Sequence, residues 1–310
     1  MSFSVTILGS SSAKPTVGRH HSSQIVNLCE QYYLVDAGEG CQQQMFRFGI
    51  NILKIRAIFI SHLHGDHLFG LFPLLSTLGL YGRKTSLTIY APAPFGEMLS
   101  HHLKYFDTNL SYPIEWVEVD TYRHQIIFEN RTLEVWSVPL KHRVPTSGYL
   151  FREKDPPLNV DKFKIAKYSL SIAQITAAKR GEDITLESGE VVANSEITYT
   201  PYQGRSYAYL SDTSYFKSEA KMCQGVDMIY HEATYSHEEA KIAKQRGHST
   251  AVEAAMVARD SGARSLILGH FSTRYKDLTP LLSEAREIFP ATQIGEEGHK
   301  FEIEKQLKLR

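Results

Sequence analysis

The chain has 310 residues, 42% apolar and 22% charged, ordinary globular values that exclude a disordered or fibrous protein. Thirty-four basic residues balance thirty-four acidic ones, which excludes a general nucleic-acid coat but leaves a local basic site open, because phosphate binding needs clustered positive charge. No apolar run nears the ~20 residues of a membrane helix, and Met1-Ser2-Phe3-Ser4-Val5 lacks the basic flank and apolar stretch of a signal peptide.

Phe3, Val5 and Ile7 alternate with Ser4 and Thr6, the pattern of a half-buried strand that stops at Gly9. Residues 31–36 read as a strand closed by Ala37-Gly38-Glu39-Gly40, and residues 55–60 are apolar enough for burial on both faces. Dense apolar spacing over 68–81 predicts one helix, bent at Pro73. Further strands are expected over 87–90, 132–138, 207–210, 228–230 and 266–268, and helices over 236–245, 250–261 and 280–288. Between 151 and 200 the periodicity weakens around Pro156-Pro157. This stretch is expected to be an inserted arm within a single domain spanning 1–310. Strands alternating with helices predict stacked sheets covered by helices.

The composition departs from the ordinary in its fourteen histidines. Four metal-capable side chains fall together in Ser61-His62-Leu63-His64-Gly65-Asp66-His67, directly after the apolar strand. In extended chain, residues two apart point the same way, so His62 and His64 can grip one ion. Gly65 permits a sharp turn that aims Asp66 and His67 at a second position. One loop cannot supply a full ligand set. Three later strands each end at a further ligand type: His142, Asp212 and His270. The expected sets are His62, His64, His142 and Asp212 for one zinc ion, and Asp66, His67, His270 and Asp212 for the other, with the Asp212 carboxylate bridging. Both sets keep an open edge for water, as a catalytic site requires. Cys29, Cys41 and Cys223 show no metal-type spacing and suit a reducing cytosol, so a cytoplasmic location is expected.

The H-x-H-x-D-H motif and the later ligands resemble the metallo-β-lactamase superfamily. That resemblance implies an α/β fold, the αβ/βα four-layer sandwich, here with an inserted arm. Further segments resemble the ribonuclease Z family along nearly the whole chain: Leu8-Gly9-Ser10 with Ser22-Ser23, Val35-Asp36-Ala37-Gly38-Glu39-Gly40, Gly65-Asp66-His67-Leu68-Phe69-Gly70-Leu71, and Leu74-Leu75-Ser76-Thr77. More specific to that family are His231-Glu232-Ala233-Thr234, Gly247-His248-Ser249-Thr250 and His270-Phe271-Ser272-Thr273-Arg274-Tyr275, in that order. The resemblance implies two Zn2+ per chain, phosphodiester hydrolysis of precursor tRNA, and a homodimer. It also marks Asp66 as the proton acceptor.

Chemistry agrees with those assignments. Two zinc ions roughly 3.5–4 Å apart clamp the attacking and leaving oxygens of an in-line displacement. Their charge outweighs Asp66 and Asp212, so a neutral chain can still take a phosphate substrate. His248 stands before an expected helix start, where an anion is favoured. It is assigned the leaving-oxygen proton, with Glu232 orienting its far nitrogen; a loop histidine capping the helix is the alternative. Arg274 is a phosphate-binding candidate, or a surface ion pair. Asp36, at a strand end, is a hydrogen-bond acceptor for a metal-binding histidine.

Between 162 and 180 stand Lys162, Lys164, Lys167, Lys179 and Arg180 and no acid. This stretch occupies the position of the family's tRNA-gripping arm, but where that arm has a glycine- and proline-rich tip, residues 169–178 look helical. An amphipathic helix packing on a partner copy suits the same residues. A second departure is Pro15-Thr16-Val17-Gly18-Arg19-His20, where the family commonly has lysine at the place of Val17 and asparagine at the place of His20. The function expected is a zinc-dependent endoribonuclease that trims the 3′ trailer of precursor tRNA, leaving a 3′-hydroxyl and a 5′-phosphate. The alternatives are another hydrolase of the superfamily, acting on a small phosphodiester or ester, and a non-catalytic RNA-binding scaffold.

Overall fold

The computed structural model describes residues 2–105 and 110–307, and the chain divides into two compact units. The first holds residues up to 128, 135–151 and 206–303; the second holds 129–134, 152–205 and the chain from 304.

Among the described residues, fourteen strands build the two large sheets. In chain order they are β1 (Phe3–Gly9), β2 (Ser23–Leu28), β3 (Gln31–Ala37), β4 (Ile55–Phe59), β5 (Leu87–Ala91), β6 (Ile114–Glu118) and β7 (Ile126–Glu129), followed by β8 (Leu133–Pro139), β9 (Ser147–Glu153), β10 (Ser206–Leu210), β11 (Met228–Glu232), β12 (Ser265–Gly269), β13 (Thr292–Ile294) and β14 (Lys300–Glu302). One sheet runs β14-β1-β2-β3-β4-β5-β6 and the other β13-β12-β11-β10-β9-β8-β7. Strands β3 to β6 and β10 to β13 are parallel. Parallel neighbours need long crossovers, and the helices supply them.

The layer between the sheets is aromatic. Phe59 stacks on Tyr90 at 4.8 Å and meets Tyr149 at 5.3 Å and Phe151 at 5.4 Å from the opposite sheet. On the outer face of the first sheet, Leu71, Leu74, Leu75 and Leu78 share a core with Leu34, Ile58 and Ile89. Each such leucine, fully buried, is worth about 1.5–3 kcal/mol. Helix Ala251–Asp260 covers the other sheet with alanines at 251, 254, 255 and 258, small enough for close packing on Ile229, Leu266 and Leu268. Helix, sheet, sheet and helix make the four-layer αβ/βα sandwich. Among the described residues, no helix is long and apolar enough to cross a membrane.

Several expectations need correction. Strand β1 is buried on both faces, Ser4 included, because a sheet covers one side and helices the other. The helix expected over 68–81 is two, Gly65–Leu68 and Leu71–Leu80. They break at Gly70, whose N–H donates to the Ala37 carbonyl at 2.8 Å and whose missing Cβ would collide with the Gly38 backbone. Pro73 falls in the first turn of the second helix, where no intrahelical donor is lost. The helix expected over 236–245 opens as a 3-10 turn, His237–Glu239, and continues as Ala240–Arg246. Strands β2, β6, β7, β9, β13 and β14 and helices Cys41–Arg47 and Phe95–Tyr105 go beyond what the apolar periodicity predicts.

The second unit closes on a small core of Val160, Leu170, Ala178, Ile184, Val192 and Ile197. Its helices include Lys162–Tyr168, capped by the Asp161 side chain, Ile172–Lys179, opened by a capping box of Ser171 and Gln174, and the short Asn194–Ile197. Ser169 lies between the first two at φ 48°, so the expected helix over 169–178 starts three residues late. The 151–200 span and this unit differ at both ends: Phe151 belongs to strand β9, and residues 201–205 join the unit, as do 129–134 and the chain end from 304.

Candidate metal centre

The candidate histidine ligands and carboxylates all come from the first unit, and most leave the carboxyl ends of its strands. That is where open α/β sheets place ligands, because the loops there are free of the layer packing. β3 delivers Asp36; β4 delivers His62, His64, Asp66 and His67; β8 delivers His142; β10, β11 and β12 deliver Asp212, Glu232 and His270. Asp36, Asp212 and His270 turn off their strands in the left-handed region, at φ 54°, 61° and 53°. Such backbone costs non-glycine residues about 1–3 kcal/mol and persists only where surroundings hold it.

Ligand-type atoms of His62, His64, His142 and Asp212 lie within 4.8 Å of one another, as do those of Asp66, His67 and His270. Asp212 stands between the groups. Its Oδ1 is 3.9 Å from His62 Nε2 and 3.7 Å from His142 Nε2; its Oδ2 is 3.0 Å from His67 Nε2 and 3.3 Å from His270 Nε2. Asp66 Oδ2 is 3.5 Å from His67 Nε2 and 3.6 Å from His270 Nε2. One carboxylate oxygen therefore faces each histidine group.

The donor chemistry fits cations. His142 donates Nδ1–H to the Gly247 carbonyl at 2.7 Å, which leaves Nε2 as a lone pair, buried and without a hydrogen-bond partner. His62 Nε2 and His64 Nδ1 stand 2.8 Å apart. Burial pushes His62, His64 and His142 below the ordinary imidazole pKa, which keeps them in the neutral form that binds metal. Burial also opposes charge on His67 and Asp212, but three carboxylates around His67 push it up, and His270, His67 and His62 hold Asp212 well below the usual carboxylate range. Imidazole nitrogens with carboxylate oxygens are a set suited to zinc.

Behind these groups lies a second layer of hydrogen bonds. Asp36 Oδ2 accepts from His67 Nδ1 at 2.6 Å, from Ser61 Oγ at 2.8 Å and from Tyr209 Oη at 2.6 Å, while Oδ1 accepts from the Ser61 N–H at 2.7 Å. Thr234 Oγ1 lies 2.9 Å from His270 Nδ1. Glu232, fully buried, accepts from the Thr213 N–H and Thr234 Oγ1 and stands 3.1 Å from His248 Nδ1. Burial lowers the His248 imidazole, yet Glu232 carries it up to about 9.

A cavity of about 890 Å³ opens on the centre, lined by His64, Asp66, His142, Asp212, His248 and His270. Arg274 lies on its wall, over the Tyr235 ring at 5.0 Å and paired with Glu239. Lys14, Arg143 and Arg246 also line it. Sequence reasoning missed these three cations, since nothing in their local spacing joins them. It also gave no role to Tyr209 or Thr234; Thr234, two residues from Glu232, was the findable one. The five basic residues of the 162–180 stretch belong to the second unit, where Lys162, Lys167, Lys179 and Arg180 are exposed and Arg180 pairs with Glu182 at 2.7 Å.

This fold and this cluster of histidines and carboxylates define a hydrolase of the metallo-β-lactamase class. Residues 157–271 match the β-lactamase superfamily domain, and residues 3–154 match the family described as anti-Pycsar protein Apyc1. The chain is 41% identical to a ribonuclease Z of Parabacteroides distasonis, covering 97% of this chain and 99% of that one. It is 40% identical to that of Bacteroides fragilis, over 96% and 97% respectively. Human tRNase Z, short form, shares the fold at a TM-score of 0.70 and 24% identity, covering 97% of this chain and 99% of that chain. The chain belongs to the ribonuclease Z family and is an enzyme, a hydrolase of the tRNA 3′-endonuclease type.

Proposed function

We propose that the protein is a zinc-dependent endoribonuclease that removes the 3′ trailer from precursor tRNA. The observation that carries this reading is Asp212, whose two oxygens face separate histidine groups, in a chain that matches ribonuclease Z over almost its whole length. His62, His64, His142 and Asp212 would hold one zinc ion, and Asp66, His67, His270 and Asp212 the other. When bound, the ions supply Lewis acidity and lower the pKa of water.

The side chains do the rest. Burial would raise the Asp66 carboxyl, but His67 and His270 hold it ionised, so it can orient the attacking water and accept its proton. The water oxygen bonds to phosphorus as the bond from phosphorus to the 3′-oxygen breaks. His248, protonated at neutral pH and held by Glu232, gives its proton to that oxygen. The products are a 3′-hydroxyl on the tRNA and a 5′-phosphate on the trailer. Arg274 faces the same cavity and is assigned to substrate phosphate. Lys162, Lys164, Lys167, Lys179 and Arg180 are assigned to tRNA phosphates, on an arm within one catalytic domain. The enzyme works as a homodimer in the cytoplasm, and the sparse cysteines Cys29, Cys41 and Cys223, at no metal-type spacing, agree with a reducing compartment.

Zinc content measured alongside cleavage of a precursor tRNA and of a chromogenic phosphodiester tests the reading. Zinc with cleavage at the trailer junction supports it. Zinc with activity on the small diester alone would replace it with a small-molecule hydrolase, and loss of both activities in a zinc-loaded protein would leave only a scaffold.

A further inference from the structure

We propose that Phe69 is a stacking platform for an unpaired base beside the scissile phosphodiester, and that the groove next to it is that nucleotide's subsite. The inference rests on the functional reading above and extends it to a part of the substrate.

Phe69 follows helix Gly65–Leu68 directly, three residues after Asp66, and keeps 62% of its surface exposed. An apolar ring left in water at the rim of a polar cavity calls for a reason. The ring rests against Gly65, where any Cβ would overlap it. The next residue ties the loop down, since the Gly70 N–H donates to the Ala37 carbonyl at 2.8 Å. The platform is therefore held in place.

Phe69 and Glu39 line both the catalytic cavity and a second groove of about 360 Å³, which adds Gly40, Gln42, Gln43, Gly70 and Pro73. Among the described residues, no lysine or arginine lines the groove, so it offers a phosphate no cation. What it offers is a ring face, two glutamines and a glutamate. Stacking on an aromatic ring tolerates every base, and glutamine and glutamate pair with base edges, glutamate accepting from an exocyclic amine. The catalytic cavity, by contrast, carries Lys14, Arg143, Arg246 and Arg274. Phosphate is served on one side of Phe69 and a base on the other.

The test is single-turnover cleavage by metal-loaded Phe69→Ala, Phe69→Leu and Phe69→Trp, on precursor tRNA and on bis(p-nitrophenyl) phosphate. Loss of one base–aromatic stack corresponds to about a 5- to 150-fold fall, at tenfold per 1.4 kcal/mol. Phe69→Ala should lose that factor on precursor tRNA beyond whatever it loses on the small diester. Phe69→Trp should recover it, and Phe69→Leu, apolar but without a ring face, should not. A precursor carrying 2-aminopurine beside the cleavage position should be quenched on binding the parent and less so on binding Phe69→Ala. Equal losses on the two substrates, a Phe69→Leu enzyme that matches the parent, or a loss that tracks a changed oligomeric state would overturn the subsite. A parent enzyme that cleaves no precursor tRNA would overturn the function and the subsite together, whereas a competent parent matched by Phe69→Ala sinks the subsite alone.

Discussion

Replacing Glu232 by glutamine is expected to produce a defect that grows with pH. Burial alone would lower the His248 imidazole, but Glu232, 3.1 Å from Nδ1, carries it to about 9 from an ordinary 6.5. A raised pKa means that the proton-donating form is present at lower pH and is lost as pH rises through about 9. Glu232→Gln keeps the shape and one oxygen to accept from the Thr213 N–H, but removes the charge. With the Glu232 charge gone and burial unchanged, His248 lies at its ordinary value or below, so its protonated fraction at about pH 8 falls from roughly 0.9 to roughly 0.03 or less, at least about 30-fold, and the difference shrinks as pH falls. If His248 supplies the leaving-group proton, kcat/KM on precursor tRNA follows those fractions. Parent and variant should then part by about 30-fold or more near pH 8 and draw together as pH falls. Single-turnover pH profiles of both proteins measure this, with thermal melts to establish that both are folded. On a p-nitrophenyl ester the leaving group needs no proton and the gap should close. A gap that stays constant from pH 6 to pH 9 would refute the reasoning and reduce Glu232 to an orienting group.

The other predictions follow from the same geometry. Metal analysis should return close to two zinc ions per chain; Asp212→Ala should lose both and His142→Ala about one, and a fully active protein with one ion would exclude a shared carboxylate. Asp66→Ala should lose most turnover with folding retained, and near-normal turnover would remove Asp66 as proton acceptor. His248→Ala should cost roughly 10²–10⁴-fold in rate, with a smaller defect on substrates that have a good leaving group; an equal defect on both points to positioning. Alanine at Lys162, Lys164, Lys167, Lys179 and Arg180 should weaken tRNA binding and flatten its salt dependence by about one unit for each phosphate no longer neutralised. An unchanged affinity and slope in a salt titration would exclude the arm as the RNA grip.

How far the sequence could be read depended on where the determining interactions lie. The buried strands around 55–60 and 266–268 declare themselves, because parallel strands covered on both faces need continuous apolar runs. His62, His64, Asp66 and His67 could be found because a single loop carries them. His142, Asp212 and His270 could be found because each follows a strand at once. The break at Gly70 could not, since its cause is the Ala37–Gly38 backbone some thirty residues away. Nor could Tyr209, whose hydroxyl reaches across the sandwich to Asp36. Its own strand gives no sign of that, because an aromatic residue in a buried strand looks the same whether it only packs or also donates. Lys14 and Arg143 reach the cavity from two separate loops and Arg246 from the end of helix Ala240–Arg246, and together they leave no local pattern.

The arrangement also explains why the site sits between the two sheets instead of within one. A single sheet end supplies ligands in a row, whereas Asp212 must present an oxygen to each of two groups. It leaves the second sheet at φ 61°, a turn that points its carboxylate between loops of both sheets, with His62 and His67 from the first and His142 and His270 from the second. That backbone costs about 1–3 kcal/mol, as do those of Asp36 and His270. What holds Asp36 and His270 is the hydrogen-bonded layer behind them: Asp36 takes four donors, and Thr234 Oγ1, which donates to Glu232, lies 2.9 Å from the His270 ring. These bonds lie deep in the sandwich, where a missing partner is costly. The positions of the seven ligand candidates rest on the packing of the two sheets and on these bonds, and the chemistry inherits its geometry from the fold.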